Sequence, residues 1–395
     1  MVTVSDREKC SIFVFDKSES ECVKTNNIII FALDRLNQPA MKRICLALAV
    51  VLFAATSLFA QEFSKEDKEE LDLAIEYSDN GNANKAIDIY KTLLKKYPDN
   101  STILYEIAYC YVVKQDFKNA IKWLEKSEAG NAPQGIAYAL HGNCLDNLGK
   151  KKQAIEKYKE GLSLFPGLGQ LYLELGMVYV SENRLDEAVE TFTQGIKVDP
   201  FYTSNYYRIS QLLCQTNEPI WGIIYGEIHE LLSPNSRRSG ELSAAIYNAY
   251  NSNMRFENDT TFHVSLTSKN EVSLAEDGKT LVFPFELLFE QYTSRMEDLD
   301  IVKEKGHLDM LSLVENRRAF ITRMFENGQN QQFLYPIFKY QQKVLEAGHW
   351  EAYNMWLLRQ GNDEEYRKWL EDNEDKFSAF ANWYKDNSFD PTATE

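Results

Sequence analysis

The sequence predicts a mostly α-helical protein, an α-solenoid of about five helix pairs followed by a smaller α+β C-terminal domain dominated by helices. Small residues recur at a fixed step of 34, as Ala86, Ala120, Ala154 and Ala188 in one series and Ala74, Ala108, Gly142 and Gly176 in another. Large residues keep the same step, with Tyr90, Leu124, Tyr158 and Phe192 in one series and Tyr77, Tyr111, Leu145 and Tyr179 in the next. After Pro234 the period ends and the composition changes.

At 395 residues the chain has room for two or three domains of roughly 100–200 residues each. Residues 41–60 carry Met41, Lys42 and Arg43, an apolar run from Ile44 to Ala55, and an exit through Thr56 and Ser57 to Ala60. A charged start, an apolar run shorter than the ~20 residues of a membrane-spanning helix and a small-residue end make a secretory signal peptide. Cleavage after Ala60 leaves Gln61 first. Residues 1–40 then read as a mistaken, disordered extension ahead of a start at Met41. The alternative keeps Met1 and makes residues 44–60 an uncleaved anchor. The expected location is exported, periplasmic or envelope-associated, with no integral membrane span after cleavage.

Of six cysteines, Cys110, Cys144 and Cys214 remain after such a cut. Cys110 and Cys144 hold the same place in consecutive units, a repeat width apart. That exceeds the ~7 Å between α-carbons beyond which a disulfide needs backbone movement, so they read as small buried apolar residues.

The solenoid occupies residues 61–236, with units at 67–100, 101–134, 135–168, 169–202 and 203–236. Each unit reads as two antiparallel helices, whose axes approach too closely at the small residues for a larger side chain. In the fourth, Tyr172, Leu175, Gly176 and Tyr179 precede Ala188, Phe192 and Pro200, and Pro166 and Pro98 answer Pro200. This spacing resembles the tetratricopeptide repeat family. The fifth unit keeps Tyr206, Leu213 and Pro234, with Ser210 as its small residue, but Gly222 replaces the packing Ala and Gly226 the aromatic. That departure is expected to mark the junction with the next domain.

The resemblance implies a concave groove, lined by the first helix of each unit, that holds a protein or peptide. The residues it places there are Leu71 and Ile75, Tyr105 and Tyr109, Asn143 and Asp146, Leu173 and Met177, and Tyr207 and Gln211. Of these, Tyr105, Tyr109, Asn143, Leu173, Met177, Tyr207 and Gln211 are the candidate partner-binding residues, apolar, aromatic and amide-bearing. Family members that capture a C-terminal carboxylate use several basic residues at such positions. Here Arg208 is the only base nearby, so a hydrophobic or tyrosine-contacting segment is the expected ligand.

Residues 237–395 change character. A helix over 241–252 precedes two β-rich stretches, Arg255–Leu266 and Val272–Phe285, the second containing an Asp277-Gly278 turn, and together they suggest a small antiparallel sheet. Helices are expected near 286–300, 308–327, 332–347, 350–360, 363–371 and 373–386. Aromatics from Phe325 to Tyr384 are dense enough for a packed helical core, with a stacking platform for sugar or peptide as the alternative. An exported repeat protein of this style resembles envelope proteins of the Bacteroidetes type.

With 59 acidic against 43 basic residues the net charge is -16, which argues against nucleic acid as a partner. Lys95-Lys96, Lys150 to Lys152 and Arg317-Arg318 read as solvated helix faces or turns. No nucleophile elbow, phosphate loop or His-Glu-x-x-His appears, and no cofactor or metal is expected. Glu304-Lys305-Gly306-His307 and Glu346-Ala347-Gly348-His349 share a form that could bind metal, yet Gly before His is also how one helix ends and the next begins. The expected protein is a non-enzymatic scaffold or adaptor, with envelope complex assembly as one setting for it. The alternative is a hydrolase or carbohydrate-binding module served by the repeats.

Overall fold

The computed structural model describes residues 63–234, 236–258, 261–268, 273–274, 281–282, 284–293, 308–328 and 335–393. The expected extension and signal over 1–60 lie outside the described residues, as do the Asp277-Gly278 turn and the 304–307 pattern. The chain forms two compact units, Met1–Ala154 and Ile155–Glu395.

The first unit holds α1 (Lys65–Asp79), α2 (Ala83–Lys96), α3 (Ser101–Val113), α4 (Phe117–Glu128), α5 (Gly135–Asn147) and the start of α6 (Lys151–Leu164). From α1 to α5 each helix packs on the next, and the first helices α1, α3 and α5 also touch in sequence, as stacked hairpins require. The second unit continues with α7 (Gly169–Ser181), α8 (Leu185–Val198), α9 (Thr203–Leu213), α10 (Pro219–Leu232) and α11 (Arg237–Asn253). There α7 touches α9 and α9 touches α11, so α11 takes the place of one more first helix.

The turn inside each repeat is the same object four times. Gly81, Gln115, Gly149 and Asn183 are 34 apart and all left-handed, with φ of 78°, 58°, 75° and 59°. Beyond each, the next residue's N–H donates to the carbonyl of Tyr77, Tyr111, Leu145 or Tyr179 at 2.7–2.9 Å. This six-residue closure satisfies the last carbonyls of the first helix and reverses the chain within two residues. The turn over 214–218 has no left-handed residue, and there Thr216 Oγ1 accepts from the Glu218 N–H at 3.1 Å instead.

Close helix contact follows from the small residues. Ala74, Ala86, Ala108, Ala120, Ala154 and Ala188 are fully buried, and Gly142 and Gly176 are buried. A Cβ on Gly176 would lie 2.4 Å from the Phe192 ring. In the fifth pair a Cβ on Gly222 would meet the Cys214 nitrogen at 2.5 Å, and one on Gly226 would meet Ser210 Oγ at 2.6 Å and Ile246 of α11 at 3.1 Å. The two departures from the repeat pattern are therefore points of close approach among α9, α10 and α11.

After α11 come β1 (Met254–Asn258) and β2 (Thr261–Val264), then β3 (Ser273–Leu274) and β4 (Leu281–Val282). The two stretches expected to share one sheet instead form two separate antiparallel ladders, β1 with β2 and β3 with β4. Met254 pairs with Val264, Arg255 with His263, Phe256 with Phe262 and Asn258 with Thr261, so both strands of the first ladder come from the first stretch. Among the described residues, helices α12 (Phe285–Thr293), α13 (Met310–Glu326), α14 (Pro336–Glu346), α15 (Trp350–Leu358), α16 (Asp363–Asp372) and α17 (Glu374–Asp386) follow.

One hydrophobic cluster runs from Ile220 of α10 through Tyr250, Phe320, Phe338, Trp350 and Tyr353 to Phe389. The boundary expected at residue 236 falls inside this continuous core. The dense C-terminal aromatics are its packing: Trp350 and Tyr353 are at most 2% exposed, and Phe380 is 3% exposed. Gly176→Leu should lower stability by about 1–3 kcal/mol in a denaturant titration, because Phe192 has no room to retreat. Gln115→Gly should raise it by roughly 0.5–1 kcal/mol, since the left-handed strain removed exceeds the added freedom of the unfolded chain.

Candidate partner-binding surface

The first helices bring the sequence-predicted residues onto neighbouring positions within each unit. In the first unit Leu71 and Ile75 on α1, Tyr105 and Tyr109 on α3, and Asn143 and Asp146 on α5 are all half-buried. Leu71 and Ile75 pack against one core cluster and Tyr105 against the next, so each shows part of its surface while resting on the repeat beneath. In the second unit Leu173 and Met177 of α7 are half-buried likewise.

Tyr207 differs. It is 5% exposed, and its hydroxyl donates to Glu241 of α11 while accepting from Gln211 Nε2 at 2.8 Å. Its ring lies 5.7 Å from that of His229, and two guanidinium groups lie over it, Arg208 at 5.1 Å and Arg238 at 4.9 Å from the ring centre. Gln211 Oε1 accepts from Arg208 at 3.2 Å, and Ser204 Oγ accepts from Arg238 at 2.9 Å. Burial, and then the Glu241 carboxylate, hold the Tyr207 phenol above its ordinary pKa, which keeps it a neutral donor. Arg238 escaped the sequence reading because it lies beyond the last repeat, where the 34-residue step assigns no position.

The Glu346 to His349 stretch is a helix-ending turn. Gly348 has φ 76°, the His349 N–H donates to the Val344 carbonyl at 3.1 Å, and the His349 ring packs on Trp383 at 5.3 Å. Cys110, Cys144 and Cys214 are thiols outside any disulfide, and burial pushes Cys144 up to about 12 and Cys214 to about 11. Among the described residues, no three His, Cys, Asp or Glu side chains gather as a metal site, and no helix is long and apolar enough to cross a membrane.

Sequence profiles of the tetratricopeptide repeat match residues 71–136, 136–167 and 169–202, over the helix hairpins described above. Residues 71–202 are tetratricopeptide repeats. The small glutamine-rich tetratricopeptide repeat-containing protein 2 of Mycosarcoma maydis is 28% identical over 86 residues, 22% of this chain and 24% of that protein. N-alpha-acetyltransferase 16, NatA auxiliary subunit, of Homo sapiens is 30% identical over 104 residues, 26% of this chain and 12% of that protein. The chain thus spans a quarter or less of these relatives' length. Among solved structures, Pseudomonas aeruginosa pilF aligns with a TM-score of 0.40 at 16% identity, covering 47% of this chain and 82% of that one. A thermophilic TPR protein in Thermus thermophilus aligns with a TM-score of 0.39 at 16% identity, covering 46% of this chain and 98% of that one.

Beyond the matched tetratricopeptide repeats, α10 carries a buried charge cluster. Arg317, read from sequence as part of a solvated face, is 5% exposed and donates to both oxygens of Glu227 at 2.7 Å. Its remaining donors reach Asn354 at 2.5 Å and the Tyr250 hydroxyl at 2.8 Å. Gln341 donates to Glu227 at 2.6 Å, and so does the Tyr353 hydroxyl. Burial alone would lower the pKa of Arg317, but the Glu227 carboxylate more than offsets it and holds the guanidinium charged. Arg318 behaves as expected, pairing with Glu315 at 3.2 Å with 40% of its side chain exposed. With Glu227 accepting from Arg317, Gln341 and Tyr353, the cluster ties α10 to α13, α14 and α15. Arg317→Met should destabilise the protein by about 3–5 kcal/mol, with part of the loss recovered when Glu227→Gln is added, as read from denaturation midpoints.

Proposed function

We propose that the protein is an exported scaffold that holds a segment of a partner protein against the first-helix faces of its tetratricopeptide repeats, within an envelope complex. The repeats support a protein-interaction scaffold. Their first helices touch in sequence within each unit and carry half-buried aromatic and apolar side chains. Tyr105 and Tyr109 are the observation that carries the reading: two half-buried tyrosines one turn apart on α3, Tyr105 packed against the core of the repeat. Tyrosine supplies a large contact area while losing little side-chain entropy. The signal-like residues 41–60 support export, which N-terminal sequencing and fractionation of the producing cell would test.

A photo-crosslinking residue at position 109 of the chain from Gln61 should capture a discrete partner in intact cells. The same residue at Lys122, exposed on the second helix α4, should not. Tyr105→Ala with Tyr109→Ala should weaken that capture about ten-fold or more, two aromatic anchors being worth over ~1.4 kcal/mol, without altering the thermal unfolding of the repeats beyond a few degrees. Capture from position 122 in place of 109 would move the binding surface to the other face.

A further inference from the structure

We propose that the C-terminal core holds one internal water molecule as a bound ligand, which accepts a hydrogen bond from the Tyr250 hydroxyl and donates one to Glu227 Oε2. The site lies among α10, α11, α13 and α14, apart from the first-helix faces assigned to a partner protein.

Glu227 is loaded unevenly. Its Oε1 accepts from Arg317, Gln341 and Tyr353, whereas Oε2 accepts, among the described residues, from Arg317 alone. A carboxylate offers about two acceptor sites on each oxygen, so the spare capacity is on Oε2. Tyr250 has the opposite shortage. Its hydroxyl oxygen accepts from Arg317 Nη1 at 2.8 Å, while among the described residues its own proton meets no acceptor. Burial raises the pKa of this phenol, so the proton stays on the oxygen and has to be placed. A buried donor without an acceptor costs free energy, and a water that relays the bond to Oε2 removes the cost.

The cavity beside these groups has the size and lining for it. Its volume is about 10 Å³, with Glu227, Tyr250, Arg317 and Gln341 on the polar side and Phe289 and Phe338 on the apolar side. One water takes roughly 10–15 Å³ and uses two to four polar partners, so the space suits a single molecule and no cluster. Charge narrows the choice further. Arg317 opposes a cation in the cavity and Glu227 opposes an anion. A small neutral molecule that both accepts and donates is what remains.

The water would also change what holds α11. Tyr250 meets the charge cluster directly only through Arg317, and a relay to Oε2 joins α11 to the carboxylate that already binds side chains of α13, α14 and α15.

A high-resolution crystal structure of the protein tests this. Density for one water should lie roughly 2.5–3.0 Å from both Tyr250 Oη and Glu227 Oε2. In solution, magnetic relaxation dispersion of the water signal should count one fewer long-lived water in Tyr250→Phe, which keeps the ring and removes the donor. A thermal melt checks that the variant is folded, and the density in the unaltered protein decides the matter where it is not. Absence of density between the two atoms, a direct hydrogen bond from Tyr250 to Glu227 in its place, or an unchanged count of long-lived waters in folded Tyr250→Phe would each overturn the site.

Discussion

The structure depends on how closely two helices of one hairpin can approach. At Gly176 the missing side chain is occupied by the Phe192 ring, which would sit 2.4 Å from a Cβ. At Gly195 the same is true between hairpins, where Asn205 Nδ2 lies 2.5 Å from the corresponding point. Nested packing of this kind fixes the angle and separation of each pair, because ridges of one helix must enter grooves of the other. With the pair geometry fixed, the left-handed turn at Gly81, Gln115, Gly149 and Asn183 fixes where the chain re-enters. Within each unit, pairs joined in the same way stack in series, and the stacking is what sets first-helix side chains next to one another.

The fifth pair shows the same constraint under a different demand. It has lost the left-handed turn and the packing alanine, yet its helices remain in close contact, with Gly222 against the Cys214 backbone and Ser210 Oγ donating to the Gly222 carbonyl at 2.7 Å. The removal of the aromatic at Gly226 opens the space that Ile246 fills. One helix, α10, thereby serves two cores: its glycine face closes the last hairpin, and its Ile220, Ile223 and Ile224 start the large C-terminal cluster.

The repeat geometry was legible in the sequence because it is local and recurrent. A position such as Ala154 or Gly176 has partners within one period, and four copies of the pattern average out the irregularity of any one. The C-terminal helices were legible too, since 3.6-residue periodicity and Gly348 at a turn are short-range signals. The strand pairing was not, because strands of two to five residues carry too little alternation to say which partner each takes. Tyr207 read as a surface aromatic because nothing in its own repeat announces α11 lying across it. Arg317 read as solvated because adjacent basic residues normally are, and its partner Glu227 is 90 residues away in a part of the chain with no period.

That buried pair explains how a repeat array can end in an irregular domain without ambiguity. Apolar contacts alone would let α13, α14 and α15 slide along the isoleucine face of α10 at little loss, because burial is non-directional. Glu227 removes that freedom, since its two oxygens accept from Arg317 on α13, Gln341 on α14 and Tyr353 on α15. A displacement that breaks any one of these leaves a buried charge or donor without its protein partner, at a cost in free energy. Glu230 repeats the device one turn on, accepting from Ser239 at 2.5 Å and pairing with Arg359 at 3.0 Å. Two carboxylates on one face of a repeat helix thus select a single register for three helices that the 34-residue period does not govern.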